Sequence, residues 1–451
     1  MFESSLPLRR RAGEASVSLE TLDSRKGGVP MRAKLLILAS SIGMLGWGAV
    51  LPYQYAYAAD TRGWGALVAA AASSLFSVGA LVAAPIAGRL ADRYNPVHVA
   101  VVAQLLGAVG AASLIFADGP AVFLGGMLLF GLGLAAAVPA KQVLALEWSS
   151  TDDRRKVFAY KFTGEALGMA AGAFLAGQII DLGRHDGLDV GFLMAAAGFA
   201  VSSAIIALAG RGARRGSEFG AEAVAGLSDE RRPGAFRLVL ANPALRWTSV
   251  IMIALALGFY AQFESGIPAF GITVLEVDPV AVGTAAAVNC IVIVALQVVV
   301  VRLTAKVSAP ALLMAVGGIW VVAWLVLASA QLAPGVASAM FVMTYGIFAV
   351  GETIYSPVLN PLIASLARKG MVGSTLGAMS ALQTAFTAAG PLVAGVLLGA
   401  GLGDVFLGMH LALSVLAVFA AWRLKRVIAA MPPVRHEPPT RPISIVDPVD
   451  A

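Results

Sequence analysis

Long apolar runs, interrupted at short intervals by polar and turn-forming residues, set the rhythm of this sequence. Twelve runs are long enough for a bilayer-spanning helix, which needs about 20 mainly apolar residues. They are 35–57, 65–87, 97–117, 120–146, 162–181, 190–209, 247–270, 281–301, 310–329, 336–358, 374–399 and 404–422. The joints between them, such as 60–63, 118–120, 181–187, 333–335 and 401–404, are short and carry Gly, Pro or Asp. One joint differs: residues 210–246 are polar and rich in Gly and Arg, and they divide the runs into six and six. The pattern predicts an all-α membrane protein with five parts. These are an N-terminal segment (1–34), a six-helix bundle (35–209), a central loop (210–246), a second six-helix bundle (247–422) and a C-terminal tail (423–451). The N-terminal segment has the composition of disordered chain, as does the tail from Met431 with Pro432, Pro433, Pro438, Pro439 and Pro442.

Composition sharpens this reading. Of 451 residues, 59% are hydrophobic and 13% charged, and the mean hydropathy is +0.83. A soluble domain carries about a quarter charged residues; here the apolar excess has to face lipid. The 49 glycines suit helices packed closely in a bilayer, where near backbones gain dispersion contacts. A net charge of +6 does not indicate nucleic acid, because the basic residues sit in loops between apolar runs. All but three of the 32 lysines and arginines fall on one side if the N-terminus is cytoplasmic; the exceptions are Arg62 and Arg184 in outer loops and Lys141 within the fourth run. This asymmetry orients the chain in an inner (plasma) membrane with both termini in the cytoplasm. Residues 1–34 contain no signal-peptide run, so the first helix is expected to insert and stay. The single cysteine, Cys290, allows no internal disulfide, and the scattered histidines show no metal-ligand spacing. No G-x-x-x-x-G-K-[ST] loop and no nucleophile–base set occurs, so neither ATP hydrolysis nor another enzymatic activity is expected, and no cofactor. A composition richer in Arg than Lys suggests a GC-rich bacterial source.

The halves echo one another. The loop after the second run reads Gly88, Arg89, Leu90, Ala91, Asp92, Arg93, and the loop after the eighth reads Val301, Arg302, Leu303, Thr304, Ala305, Lys306. Val138, Pro139 and Ala140 late in the fourth run are matched, at a similar offset, by Ser356, Pro357 and Val358 late in the tenth. Parallel repeats of this kind mark transporters, with the substrate site between the halves near the membrane midplane.

The stretch from Gly88 to Arg93 resembles the signature loop of the major facilitator superfamily, and the resemblance extends over about 35–425. Tyr94, Asn95 and Pro96 depart from that pattern, which continues with Gly and basic residues. The fifth run carries Gly164, Gly168 and Gly172 at four-residue spacing. The seventh ends in Gln262, Phe263, Glu264, Ser265, Gly266, Ile267, Pro268, and the tenth contains Gly351 and Glu352. The last two stretches are similar to the twelve-helix drug:proton antiporter branch. The resemblance implies two pseudo-symmetric six-helix bundles, a monomer, and protons as the coupling ion. It also implies that Asp92 faces the start of the eleventh helix, around 370–376. Gly88 lets helices two and eleven approach, and Arg93 pairs with Glu147 or Asp152, so that the four residues Gly88, Asp92, Arg93 and Glu147 latch the outward-facing state. Met127 stands where proton-coupled relatives often carry an arginine, so their relay does not transfer at that position.

Ionisable residues inside spanning helices cost several kcal/mol and usually face a cavity or a partner. Glu264 is the first candidate for proton coupling and Glu352, toward the inner end of the tenth run, the second. Lys141 and Glu165 form a candidate internal ion pair. Substrate contacts are expected from Tyr53, Gln54, Phe259, Tyr260, Gln262, Phe263 and Tyr345, which combine apolar surface with polar tips. The expected activity is export of amphipathic organic molecules by proton antiport. An importer or symporter of a neutral metabolite or sugar on the same fold, and a non-transporting sensor, are the alternatives. Engineered cysteines near both chain ends are expected to react with an impermeant maleimide from the cytoplasmic side only; labelling on opposite sides would overturn the topology.

Overall fold

The computed structural model describes residues 29–54, 57–212, 235–263, 266–277 and 279–431. The segments with disordered composition at the two ends lie largely outside the described residues, as does most of the central loop. Among the described residues, twelve long helical elements succeed one another, with short helical turns between some of them, and no strand occurs. They are α1 Met31–Val50, α2 Gly65–Arg93, α3 Pro96–Ile115, α4 Pro120–Glu147, α5 Arg154–Gly177, α6 Asp189–Ala209, α7, α8 Pro279–Thr304, α9 Ala309–Ser329, α10 Ala337–Leu366, α11 Val372–Gly399 and α12 Gly403–Ala430. Helix α7 is interrupted: Pro243–Leu255 continues through a π-helical turn, Ala256–Tyr260, before a second piece, Gly266–Thr273. A short helix, Ala235–Ala241, precedes it. Eleven elements are long and apolar enough to span a bilayer. The other, α5, has the length, but Arg154, Arg155, Lys156, Lys161 and Glu165 lower its hydropathy.

Local signals explain where helices begin. Before α3, the Asn95 side chain accepts the Val97 N–H at 2.9 Å, with Pro96 in the first turn. Before α7, Asn242 accepts from Ala244 N–H at 2.9 Å, followed by Pro243. Both pairs satisfy a donor that a helix start leaves open, with proline where its missing N–H costs nothing. Of the boundaries that differ from the sequence reading, two bear on the site. Helix α5 starts at Arg154, because its basic first turns remain helical before the apolar run begins. Helix α10 continues through Pro357 and Pro361 to Leu366, so its inner end lies well beyond 358.

The helices pair in the same way in each half. In the first, α1 packs on α5 and α6, α4 on α2 and α3, and α3 on α6; in the second, α7 packs on α11 and α12, α10 on α8 and α9, and α9 on α12. The result is two six-helix bundles related by repetition. Val102, Val109, Leu193 and Leu392 lie on the outside, each more than half exposed, as lipid-facing residues should be. Within the first bundle, Gly168 and Gly172 lie against the Ser41 and Leu45 carbonyls of α1, a backbone approach that any larger residue would block.

Between bundles the pairing is also repeated: α2 meets α11 as α8 meets α5, and α4 meets α11 as α10 meets α5. Hydrogen bonds between the bundles gather at one end, the motif end, where the last turns of α2 carry residues 88–93. Gly88 rests on the backbone of Gly373 and Gly377, and a Cβ on Gly88 would enter the space of the Gly373 carbonyl. Gly88→Val is expected to hold the bundles apart there. Transport should fall more than tenfold and the melting temperature in detergent should drop, since forced overpacking costs about 1–3 kcal/mol; unchanged melting and flux would refute the close contact.

Candidate functional site

A cavity of about 470 Å³ lies between the bundles, in the middle and toward the end opposite the motif, here the far end. Its second-bundle wall is aromatic and polar: Phe259, Tyr260 and Phe263 of α7, Asn289 and Cys290 of α8, and Glu352 of α10. Facing it are Met44 of α1 and Phe162, Glu165 and Met169 of α5. The aromatic wall is braced from behind. Phe259 stacks on Phe348 at 4.4 Å and packs on Trp320 at 4.9 Å. The π turn frees backbone carbonyls, and Trp324 Nε1 donates to that of Gly258 at 3.0 Å. Tyr345 lies behind the wall and donates its hydroxyl to the Phe263 carbonyl at 2.9 Å, fixing that ring.

The two carboxyls occupy different settings. Glu352 is 5% exposed and sits midway along α10, a correction to the reading that put it toward the inner end. Asn289 Nδ2 donates to its Oε2 at 2.8 Å, and the Tyr260 hydroxyl stands beside the same carboxyl. Among the described residues no ion pair involves Glu352. Glu165, by contrast, accepts Lys161 Nζ at 2.7 Å, one turn earlier on α5. This replaces the expected Lys141–Glu165 pair, because the earlier start of α5 brings Lys161 into the spanning helix. Lys141 itself is 2% exposed on α4, within electrostatic reach of Glu165 and Lys161. Two lysines, not one, therefore lie buried behind the first-bundle wall.

Of the expected substrate contacts, Phe259, Tyr260 and Phe263 line the cavity. The others do not, and each has another place. Tyr53 donates to the Ala173 carbonyl at 2.8 Å, joining α1 to α5, and Gln54 is buried near it in sequence. Gln262 Nε2 donates to the Gly390 carbonyl at 3.3 Å, tying the break in α7 to α11. Glu264 lies outside the described residues. Sequence reasoning misses Asn289, although an amide in the apolar run 281–301 is the kind of polar residue that lipid depth makes costly unless it has a partner. Among the described residues no three His, Cys, Asp or Glu side chains gather as metal ligands.

At the motif end, the buried Asp92 carboxylate accepts the Gly373 N–H on Oδ1 at 2.5 Å and the Ser374 N–H on Oδ2 at 2.6 Å. These donors belong to the first turn of α11, whose opening turn holds no acidic residue of its own. A carboxylate there gains from open N–H groups and the helix dipole. Arg93 does not pair with Glu147 or Asp152. It is the last residue of α2, exposed, with its guanidinium over the Tyr94 ring at 5.8 Å, because Tyr94 turns extended and carries the chain outward.

Two repeated bundles of six helices around a cavity with buried ionisable groups define a membrane transporter. The sequence from 36 to 391 matches the model of the Major Facilitator Superfamily, and the chain belongs to that family. It is a multi-pass membrane protein. No curated protein matches it in sequence. Solved structures of similar fold include a bacterial homologue of the iron transporter ferroportin in an outward-facing state (16% identity, covering 88% of this chain and 99% of that one, TM-score 0.72). They also include the human organic anion transporter MFSD10 (TETRAN), at 16% identity over 87% of this chain and 98% of that one, TM-score 0.63. A third is the Major Facilitator Superfamily transporter FucP in the outward conformation, at 13% identity over 87% of this chain and 98% of that one, TM-score 0.68.

The single thiol gives a direct test of the cavity. Cys290 is partly exposed on its wall. An impermeant methanethiosulfonate added from the far side is expected to label Cys290 and block transport, whereas C290A should be resistant; no labelling of the native protein would mean the cavity is closed to that side.

Proposed function

We propose that this chain is a proton-coupled exporter of amphipathic organic molecules, working by alternating access, with its motif end in the cytoplasm. The excess of Lys and Arg in the loops at that end supports the orientation. The observation that carries the coupling is Glu352: a buried carboxyl on the cavity wall, held by an amide and a phenol and by no cation. Its charged form is expensive at this depth, so either a proton or a positively charged part of a ligand stabilises it. Competition between the two for one carboxyl is the chemistry of antiport. The aromatic and methionine surface around it suits apolar, planar molecules of varied shape.

The cycle follows from these positions. With the motif end closed, the cavity meets the far side, where the Glu352 carboxyl takes up a proton as the exported molecule leaves. The neutral carboxyl then crosses to the other state without carrying charge through lipid. At the cytoplasmic side it releases the proton and the next molecule binds. Glu165, neutralised by Lys161, keeps the opposite wall from adding a second free charge.

A second reading has its own support. The buried Lys141 and Lys161 behind the first-bundle wall favour a solute carrying negative charge, moved inward with protons on the same fold. Everted vesicles separate the two. Under an imposed gradient, acid inside, an exporter accumulates an amphipathic dye and loses it on adding a protonophore; a symporter shows the reverse dependence with a nutrient anion. In either direction Glu352→Gln should abolish accumulation driven by the gradient, by tenfold or more, while substrate-for-substrate counterflow persists. Gradient-driven accumulation at the native level in E352Q would remove Glu352 from coupling.

A further inference from the structure

The closed motif end has a second fastening, and its chemistry is the reverse of the first. Arg155, in the opening turn of α5, reaches across to the other bundle. Its Nη1 donates to the carbonyls of Thr304 at 3.0 Å, Val307 at 2.9 Å and, more weakly, Ala305 at 3.3 Å. The Thr304 carbonyl ends α8 and those of Ala305 and Val307 follow it, where a helix leaves acceptors open and carries partial negative charge. A guanidinium there makes charge-assisted bonds to groups that otherwise need water.

The repeat explains why the contact takes this form. The α5–α8 contact is the counterpart of the α2–α11 contact. In the first, the last turn of α2 supplies Asp92 to the N-terminus of α11. In the second, the loop after α8 carries Ala305 at the position that matches Asp92 in the repeat, so no carboxylate is present there to cap α5. Helix α5 brings acid of its own: Asp152 and Asp153 precede it, and Asp153 pairs with Lys156 at 2.7 Å. Asp153 stands at the N-cap of α5 without a cap hydrogen bond of its own, and the bond between bundles is made the other way, by a cation from α5 on the carbonyl end of α8. Neither Arg155 nor this exchange of polarity is evident from the sequence motif alone.

We propose that Arg155 is the second gating residue of the transport cycle: it locks the motif end shut by capping α8 from the opposite bundle, and it releases that helix when the cavity turns to the cytoplasm. The two fastenings stand on separate helix pairs, so they contribute independently to one equilibrium. Arg155 touches neither cavity nor Glu352, so it sets the balance of states and leaves the coupling chemistry alone.

Cys290 reports this balance without any substrate or proton gradient, so the test holds whether or not the exporter reading survives. In proteoliposomes of defined orientation, the rate of Cys290 modification by an impermeant methanethiosulfonate is measured from each side. Arg155→Ala should lower the ratio of far-side to motif-side rates about tenfold, a loss in the range expected for a charge-assisted hydrogen bond. Arg155→Lys should fall between R155A and the native chain. Ala305→Asp, at an exposed site, places a carboxylate beside Arg155 and should move the ratio the opposite way, which guards against a variant that simply folds poorly. Lys156→Ala, on the same turn without a bond between bundles, should leave the ratio unchanged. Ratios within twofold of native in both R155A and A305D, in a preparation where Asp92→Asn shifts the ratio, would overturn the proposal.

Discussion

A single carboxylate, Asp92, joins parts of the chain 281 residues apart, and the remaining architecture takes its shape from that join. Both its oxygens are engaged by the opening N–H groups of α11, so the two halves meet at one end and part toward the other. The bond is local, and it lies at the end of the bundles opposite the cavity. It also requires a bare backbone next to it: Gly88 against Gly373 and Gly377 brings α2 and α11 close enough for a short aspartate to reach. Lipid strengthens this dependence. Where water is scarce, an unpaired N–H or carboxylate has few alternatives, and polar contacts between helices become specific places of attachment.

The cavity shows the same economy with charge. Its walls belong to different bundles and are chemically unequal. One holds a carboxyl with only an amide and a phenol for company; the other holds a carboxyl matched by a lysine on its own helix. The two carboxyls therefore differ in kind, one hydrogen-bonded to neutral groups and the other paired with a cation. Aromatic bracing by Trp320, Trp324 and Phe348 makes the first wall stiff where Glu352 sits, so a ligand meets a formed surface.

Much of this is legible in the order of residues, and the gaps have physical causes. The spanning helices can be read because lipid enforces a length and an apolar content that few soluble segments match. The contact of Asp92 with the start of α11 comes from a family resemblance and agrees with the geometry; spacing alone does not place residues so far apart together. Helix α5 starts earlier than its apolar run because Arg154 to Lys161, which read as loop, stay helical where the helix leaves the bilayer. That difference hides Lys161 from a sequence reading and assigns Glu165 to Lys141. Glu352 reads as lying toward an end because the apolar run closes at 358, yet the helix continues to Leu366. Tyr53, Gln262 and Tyr345 are expected in the cavity on chemical type, but a hydroxyl or amide serves equally well to tie one helix to the next, and residue type does not tell these uses apart.

The bearing on which the halves meet is made of glycine backbone, with no side chains from Gly88, Gly373 or Gly377 to interdigitate. Tilting one half on the other at that seam therefore unpacks little apolar surface and frees few rotamers. Heat capacity of activation scales with the apolar area exposed on the way to the barrier. The rocking step should in consequence have an almost straight Arrhenius plot, with its barrier dominated by the enthalpy of a few polar bonds, so that cooling slows the cycle without changing the step that limits it.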